Sequence, residues 1–197
     1  MTTHLSIAAA SGHTYSPGVK LNSMEELTNF RKEKDRLFAK EAESPLTPAQ
    51  KKNFAGLNYF APNPSLIFRA LQLEPIPGEQ LVQIKTSAGD NQPFRIKGKI
   101  RFEVGGSPCE LTVYDSTDGA GLFLPFRDKT NGTDTYHDGR YIEVAEEDGK
   151  IVELDFNYAY NPYCAYNDSF RCPITPESNT LPVAITAGEK RFHQLSG

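Results

Sequence analysis

The sequence predicts a mainly β (α+β) fold, an antiparallel β-sandwich or barrel fronted by two N-terminal helices and carrying a long ordered C-terminal loop. Three observations predict it. From residue 66 onward, short segments of alternating apolar residues recur at close spacing between Gly, Asn, Asp and Pro turns, the pattern of sandwiches and barrels. Two helix-start signals precede them, and no strand–helix–strand alternation follows, which argues against a doubly wound sheet. The stretch Asp155–Thr180, DFNYAYNPYCAYNDSFRCPITPESNT, holds four of the nine tyrosines and two of the three cysteines but almost no aliphatic residue. Polar connections longer than about 12–15 residues are uncommon in compact domains. Ring burial offsets the entropy of ordering such a segment, so we read it as an ordered loop of the Ω type.

Residues 1–22 are polar and aperiodic and read as a mobile arm, leaving 23–197 as one domain. Ser23-Met-Glu-Glu26 has the form of a capping box, and Met24, Leu27, Phe30, Leu37 and Phe38 recur at helical spacing, so a helix is expected over Met24–Glu43 with a solvated charged face. Ser44-Pro45 stops it. Thr47-Pro48-Ala49-Gln50 restarts a short helix, with Thr47 as N-cap and Pro48 at its first position, running to about Phe54 and ended by Gly56.

Strands are then expected at Leu66–Leu71, Leu81–Lys85 and Phe94–Val104, the last interrupted by Gly98 as a bulge, and at Cys109–Tyr114 across a Gly105-Gly106 turn. Leu122–Phe126 follows, with Pro125 marking an edge. Tyr141–Val144 and Lys150–Asp155 flank Glu147-Asp148-Gly149 as the clearest hairpin, and Leu181–Thr186 closes the set.

Composition narrows the function classes. A net charge of −4, with Lys and Arg dispersed among acids, gives no footprint for nucleic acid or an anionic membrane. No apolar run approaches the roughly 18 residues of a membrane span, and the first residues lack the basic and apolar regions of a secretion signal, so a cytoplasmic location is expected. Three cysteines in a chain of 197 residues make no disulfide framework, and reduced thiols are expected.

Two stretches together resemble a bacterial and archaeal family, domain of unknown function 1684. The first is Phe126-Arg-Asp128-Lys-Thr130-Asn-Gly132-Thr-Asp-Thr-Tyr136-His-Asp-Gly139-Arg140-Tyr141; the second is Leu154-Asp155-Phe156-Asn157-Tyr-Ala-Tyr160-Asn161-Pro162-Tyr-Cys164-Ala-Tyr166, continuing to Cys172-Pro173 and Asn179. The resemblance extends from about Glu25 to Phe192. It departs at His137, where the family usually has a small residue, and at Tyr158 and Tyr163, where a basic residue and a proline are commoner. It implies membership of a family and no particular activity.

The candidate chemistry gathers around the loop. Asp128, Thr130, Tyr136, Arg140, Asp155, Asn157, Asn161, Cys164, Cys172 and Asn179 form the candidate ligand-binding set. Polar groups at strand ends beside a long loop are buried only when hydrogen-bonded to one another. Arg140 is expected to form a bidentate ion pair with Asp128 or Asp155, and the asparagines to close Asx turns. Such a cluster is either a clasp fixing the loop or the floor of a site for a small polar molecule. Cys164 and Cys172 lie eight positions apart, unlike a zinc knuckle, and His4, His13 and His193 lie towards the termini, so no metal and no cofactor are expected.

The reading we favour for Cys164 is a buried small hydrophobe against tyrosine rings. Arg140, Arg171 and His137 are the groups within the sequence that can lower its pKa, and a transient redox pair with Cys172 is a further alternative. The function expected is thus a small-ligand-binding or structural module. The alternatives are a hydrolase or thiol-dependent enzyme using Cys164 or the Asp128/Asp155 carboxylates, and a partner-binding adaptor using the charged helix face.

Overall fold

The computed structural model describes residues 23–78 and 81–192. The arm expected over 1–22, the Ser23 capping side chain, and His4, His13 and His193 lie outside the described residues. Helix α1 (Ser23–Lys40) and helix α2 (Pro48–Lys52) precede eight strands. These are β1 (Ile67–Gln72), β2 (Leu81–Lys85), β3 (Asn91–Val104), β4 (Ser107–Ser116), β5 (Leu122–Phe126), β6 (Arg140–Glu143), β7 (Glu146–Glu147) and β8 (Lys150–Asp155). They form two antiparallel sheets, one of five strands in the order β2-β3-β4-β5-β6 and one of three in the order β1-β8-β7. One hydrophobic cluster joins them: Ile100 and Phe102 of β3, Leu111 and Val113 of β4, Leu124 and Phe126 of β5, Ile142 of β6, and Ile151 and Leu154 of β8.

Local chemistry accounts for several boundaries. Thr47 Oγ1 accepts from Gln50 N, and Gln50 Oε1 from Thr47 N, closing the expected capping box. The β3–β4 register shifts between Ile96 and Gly98. A Cβ on Gly98 would stand 2.6 Å from Glu74 O, so the bulge needs glycine because the segment after β1 crosses there.

Four expectations are corrected. Pro125 does not lie on an edge, because β5 runs between β4 and β6. The β4–β5 ladder pairs only Tyr114↔Phe123 and Asp115↔Leu122, however, and has opened by Pro125. There the Asn179 amide acts as a surrogate peptide unit: Thr112 N donates to its Oδ1 (2.9 Å), and its Nδ2 donates to Thr112 O (2.9 Å) and Pro125 O (2.7 Å). The missing proline donor therefore costs no ladder bond.

The Asp148-Gly149 hairpin joins β7, not β6, to β8. Both turn residues have positive φ (49° and 73°), which makes a two-residue primed turn, and the chain has already left the five-stranded sheet at Val144–Ala145. Leu181–Thr186 is not a strand. Its backbone bonds run to Arg127 and Lys129, and the Ile185 N–H is taken by the Asp128 carboxylate. Finally, α1 is not solvated along its whole charged face. Lys34 is 2% exposed and pairs with Glu189 at 2.7 Å, Arg31 donates to Phe60 O, and Asp35 accepts from Leu57 N.

Candidate functional site

The loop after β8 is built from three 3-10 turns, Phe156–Tyr158, Tyr163–Ala165 and Glu177–Asn179, joined by extended pieces. It is pinned along its length. Phe156 enters the core edge-on to Phe126 and Phe68. Tyr160 exchanges both backbone bonds with Tyr141 (2.9 and 3.0 Å). Tyr166 packs edge-on to Phe38 of α1, and its carbonyl accepts from Gln50. Arg171 clamps Asp90 through Nε at 2.8 and 2.9 Å, and Ile174 N donates to Lys85 O at the end of β2.

The ten candidate residues do not share one pocket but divide into five hydrogen-bonded groups. Asp128 and Arg140, both without exposed side-chain surface, form the first. Arg140 Nη2 donates to Asp128 Oδ2 (2.9 Å) and Ile185 O (2.9 Å), and Nη1 to Ala187 O (2.5 Å) and Glu189 O (3.2 Å). The ion pair is monodentate, not bidentate. The other Nη donors go to three carbonyls of the segment that returns after the loop, and the buried Nε–H has no partner among the described residues. Burial pulls Arg140 below its ordinary value, with Asp128 acting in the opposite sense. Thr130 belongs to the same group, donating its N–H to Asp128 Oδ1 at 2.8 Å.

Asp155 and Asn157 form the second group. Asp155 Oδ1 accepts from Asn157 N (2.8 Å) and Nδ2 (2.7 Å), and Asn157 fastens Asn63 through Oδ1 and Nδ2. The Asx turn here is closed by the aspartate. Asn167 closes the one found on an asparagine of the loop, accepting from Ser169 N at 3.0 Å. Asp128 and Asp155 share no hydrogen-bond partner.

Asn161 forms the third group with two residues that sequence reasoning missed. Its Nδ2 donates to Glu189 Oε1 (3.1 Å) and Lys190 O (2.8 Å), while Glu189 also accepts from Tyr166 OH and pairs with Lys34. Neither Lys34, within a run of charged helix residues, nor Glu189, near the C-terminus, carries a local signal of burial. Asn179 between β4 and β5 is the fourth group.

The fifth group is Cys164, Cys172 and Tyr136. Cys164 N–H donates to Cys172 Sγ (3.3 Å), and Tyr136 OH lies 3.8 Å from Cys164 Sγ. The Cys172 thiol first, and then the Tyr136 hydroxyl, outweigh burial and bring the Cys164 thiol down to about 7. Cys172 moves the other way, held protonated by its hydrogen bond to Cys164, by burial, and by the charge on Cys164. Cys109 is buried as well, and burial pushes its thiol up. Arg140 is engaged with Asp128 and Arg171 with Asp90, and His137 stays on the surface with 67% of its side chain exposed. A hollow of about 40 Å³ lies nearby, lined by Gln92, Phe94, Ser116, Phe123, Glu143 and Tyr160 among others, and by none of the ten candidates.

The family described as "Protein of unknown function (DUF1684)" matches residues 52–190, a span that runs from α2 through the loop to the Glu189 latch. The chain belongs to the DUF1684 family. A solved relative supports the same fold: the solution NMR structure of an uncharacterized protein of Haloarcula marismortui is 36% identical, covering 86% of this chain and 94% of that one with a TM-score of 0.65. No functionally curated protein matches the chain. Family membership thus carries the fold and leaves the activity to be read from the site. Among the described residues, no helix is long and apolar enough to cross a membrane.

Proposed function

We propose that the protein is a thiol-dependent module in which Cys164 acts as a nucleophile from a rigid loop, and that the Asp128–Arg140 and Asn161–Glu189 groups are the clasp holding that loop to the sheets. One observation carries the reading: Cys164 Sγ is buried yet has the Tyr136 hydroxyl 3.8 Å away, while the Cys164 amide holds the Cys172 sulfur at 3.3 Å. Burial alone raises a thiol, as Cys109 shows. Donors aimed at the sulfur favour the thiolate, the form that attacks. The clasp reading draws support from the same geometry, because Asp128, Arg140, Asn157, Asn161 and Asn179 spend most of their polar atoms on the protein itself. A hydrolase built on Asp128 and Asp155 has less support, since the two belong to separate groups.

A thiol of pKa about 7 is about half thiolate at pH 7, against about 3% for an ordinary thiol of about 8.5. Nucleophilicity falls with pKa, with a slope of about 0.4–0.5, so the net gain in rate is only about threefold. The midpoint of the pH profile is therefore the informative quantity, not the rate. We expect iodoacetamide modification of Cys164, followed by peptide mass spectrometry, to rise through a midpoint near pH 7 while Cys109 stays unmodified. Tyr136→Phe should move the midpoint upward. A Cys164 midpoint at or above about 8.5 would overturn the reading.

A further inference from the structure

Cys172 is held in place as firmly as Cys164, and from a different side. Its N–H donates to Ser87 Oγ (3.0 Å), its carbonyl accepts from Ser87 N (2.8 Å), and its neighbours Arg171 and Pro173 are tied to Asp90 and Thr86. Cys164 is fixed by the 3-10 turn Tyr163–Ala165, whose following residues Tyr166 and Asn167 both donate to Tyr163 O. Two elements, one anchored on the end of β2 and the other on the helical side, thus set the Cys172 sulfur 3.3 Å from the Cys164 amide nitrogen across eight residues of sequence. A buried cysteine that only fills space needs no such partner.

We propose that Cys164 and Cys172 form a reversible dithiol–disulfide couple that exchanges with a small or peptidic disulfide substrate, Cys164 attacking and Cys172 resolving. The proposal rests on the nucleophilic reading of Cys164. In the first step the Cys164 thiolate attacks one sulfur of RS–SR′, a Cys164–SR bond forms, and R′S⁻ leaves and takes up a proton. In the second, Cys172 gives up its proton and attacks Cys164 Sγ, the Cys164–Cys172 bond forms, and RS⁻ leaves as the second thiol once protonated. Two electrons pass from the cysteines to the substrate, which is the oxidant, and a dithiol reverses the cycle.

The electrostatics set the order of these steps. Cys172 is kept protonated first by its hydrogen bond to Cys164, then by burial, then by the negative charge of the Cys164 thiolate. Formation of the mixed disulfide removes the charge and weakens the hydrogen bond, because a disulfide sulfur is neutral and a poorer acceptor than a thiolate. Cys172 therefore gives up its proton more readily once Cys164 has reacted, with burial still opposing the loss. Substrate size is limited by the setting: Cys164 is 8% exposed and neighbours the half-buried Tyr136, which selects thin, flexible disulfides.

The test uses the reduced full chain and bis(2-hydroxyethyl) disulfide, with an acid quench, denaturing alkylation and intact mass. Wild type is expected to lose two hydrogens and fall from three alkylatable thiols to one, Cys109. Cys172→Ser is expected to accumulate the mixed disulfide on Cys164, and Cys164→Ser to give neither product. If wild type stops at the mixed disulfide as Cys172→Ser does, the couple is overturned while the nucleophilic reading stands. If no variant retaining Cys164 forms any adduct, both fail together. Circular dichroism checks that each variant folds, and should one not fold, peptide mapping of oxidised wild type decides: a bond between residues 164 and 172 supports the couple, and its absence overturns it.

Discussion

Replacing Arg140 with alanine removes the donor to four acceptors at once. Asp128 Oδ2, Ile185 O, Ala187 O and Glu189 O all lose a guanidinium partner. The stranded carboxylate keeps two backbone bonds to its other oxygen, from Thr130 N at 2.8 Å and Ile185 N at 3.1 Å. Breaking a buried pair by removing one member costs about 3–5 kcal/mol. Each stranded carbonyl would add about 1–3 kcal/mol were it left dry, but the space vacated by the guanidinium admits water, so we expect the total to stay at about 3–5 kcal/mol. For a chain of this size that lowers Tm by about 6–20 °C, at roughly 2–4 °C per kcal/mol. Urea unfolding followed by far-UV circular dichroism measures it.

Arg140→Lys should fall between the two, since an ammonium restores the charge but not four directed bonds. The double variant Arg140→Met/Asp128→Leu should not regain wild-type stability, unlike an isolated buried pair, because the backbone groups on both sides lose their partners too. A loss below about 1 kcal/mol for Arg140→Ala would refute the argument that this guanidinium holds the return segment to the sheet.

Asn179→Ala should cost about 2–4 kcal/mol, from three buried bonds at about 1 kcal/mol each plus the unmet Thr112 and Pro125 groups, and amide exchange at Thr112 should accelerate; wild-type exchange in the variant would contradict the surrogate-peptide role. Tyr141, Tyr160 and Tyr166 are held far above the ordinary phenol value, first by burial. The folded state keeps their protons while the unfolded chain loses them, so stability is complete below about pH 10 and falls above it by about 1.4 kcal/mol per pH unit for each group. Absorbance at 295 nm should then show these phenols ionising together with unfolding, and their ionisation in a chain that remains folded would count against it.

What the sequence made legible was chemistry confined to a few neighbouring residues. The Thr47–Gln50 box and the Asp148-Gly149 turn each depend on side chains or φ values within one turn of chain, and the Gly98 bulge is marked by the glycine itself, although the close approach that requires it comes from Glu74. The misreadings arose where a distant group supplied the missing partner. Pro125 reads as an edge residue because it lacks a donor, yet Asn179, 54 positions on, stands in for the strand bond. Lys34 reads as solvated because helical periodicity counts every charge as outward, and only Glu189, 155 positions away, makes its burial tolerable. The sequence pairs β8 with β6 because both β6 and β7 precede the same turn, and sheet membership is settled by where the chain crosses at Val144–Ala145 rather than by local pattern.

The thiols show the same limit more sharply. Spacing of eight residues matches no motif, because the pair is assembled by the end of β2 and a 3-10 turn rather than by one short knuckle. Burial, the property sequence statistics predict best for a free cysteine, does not separate an inert sulfur from a reactive one here: Cys109 and Cys164 are 4% and 8% exposed. What separates them is the balance between burial and the donors set against it, side chains at Cys164 and one backbone amide, Val104, at Cys109. Cys109 Sγ donates weakly to Ser107 O at 3.6 Å, an arrangement that favours the neutral thiol. Cys164 Sγ faces the Tyr136 hydroxyl at 3.8 Å, and the Cys172 thiol acts on it in the same sense, the two coming from separate segments. Since a donor to the sulfur stabilises the charged form far more than the neutral one, Tyr136→Phe should raise the Cys164 midpoint while leaving its burial unchanged. Exposure and reactivity are thereby separable by experiment at this one position.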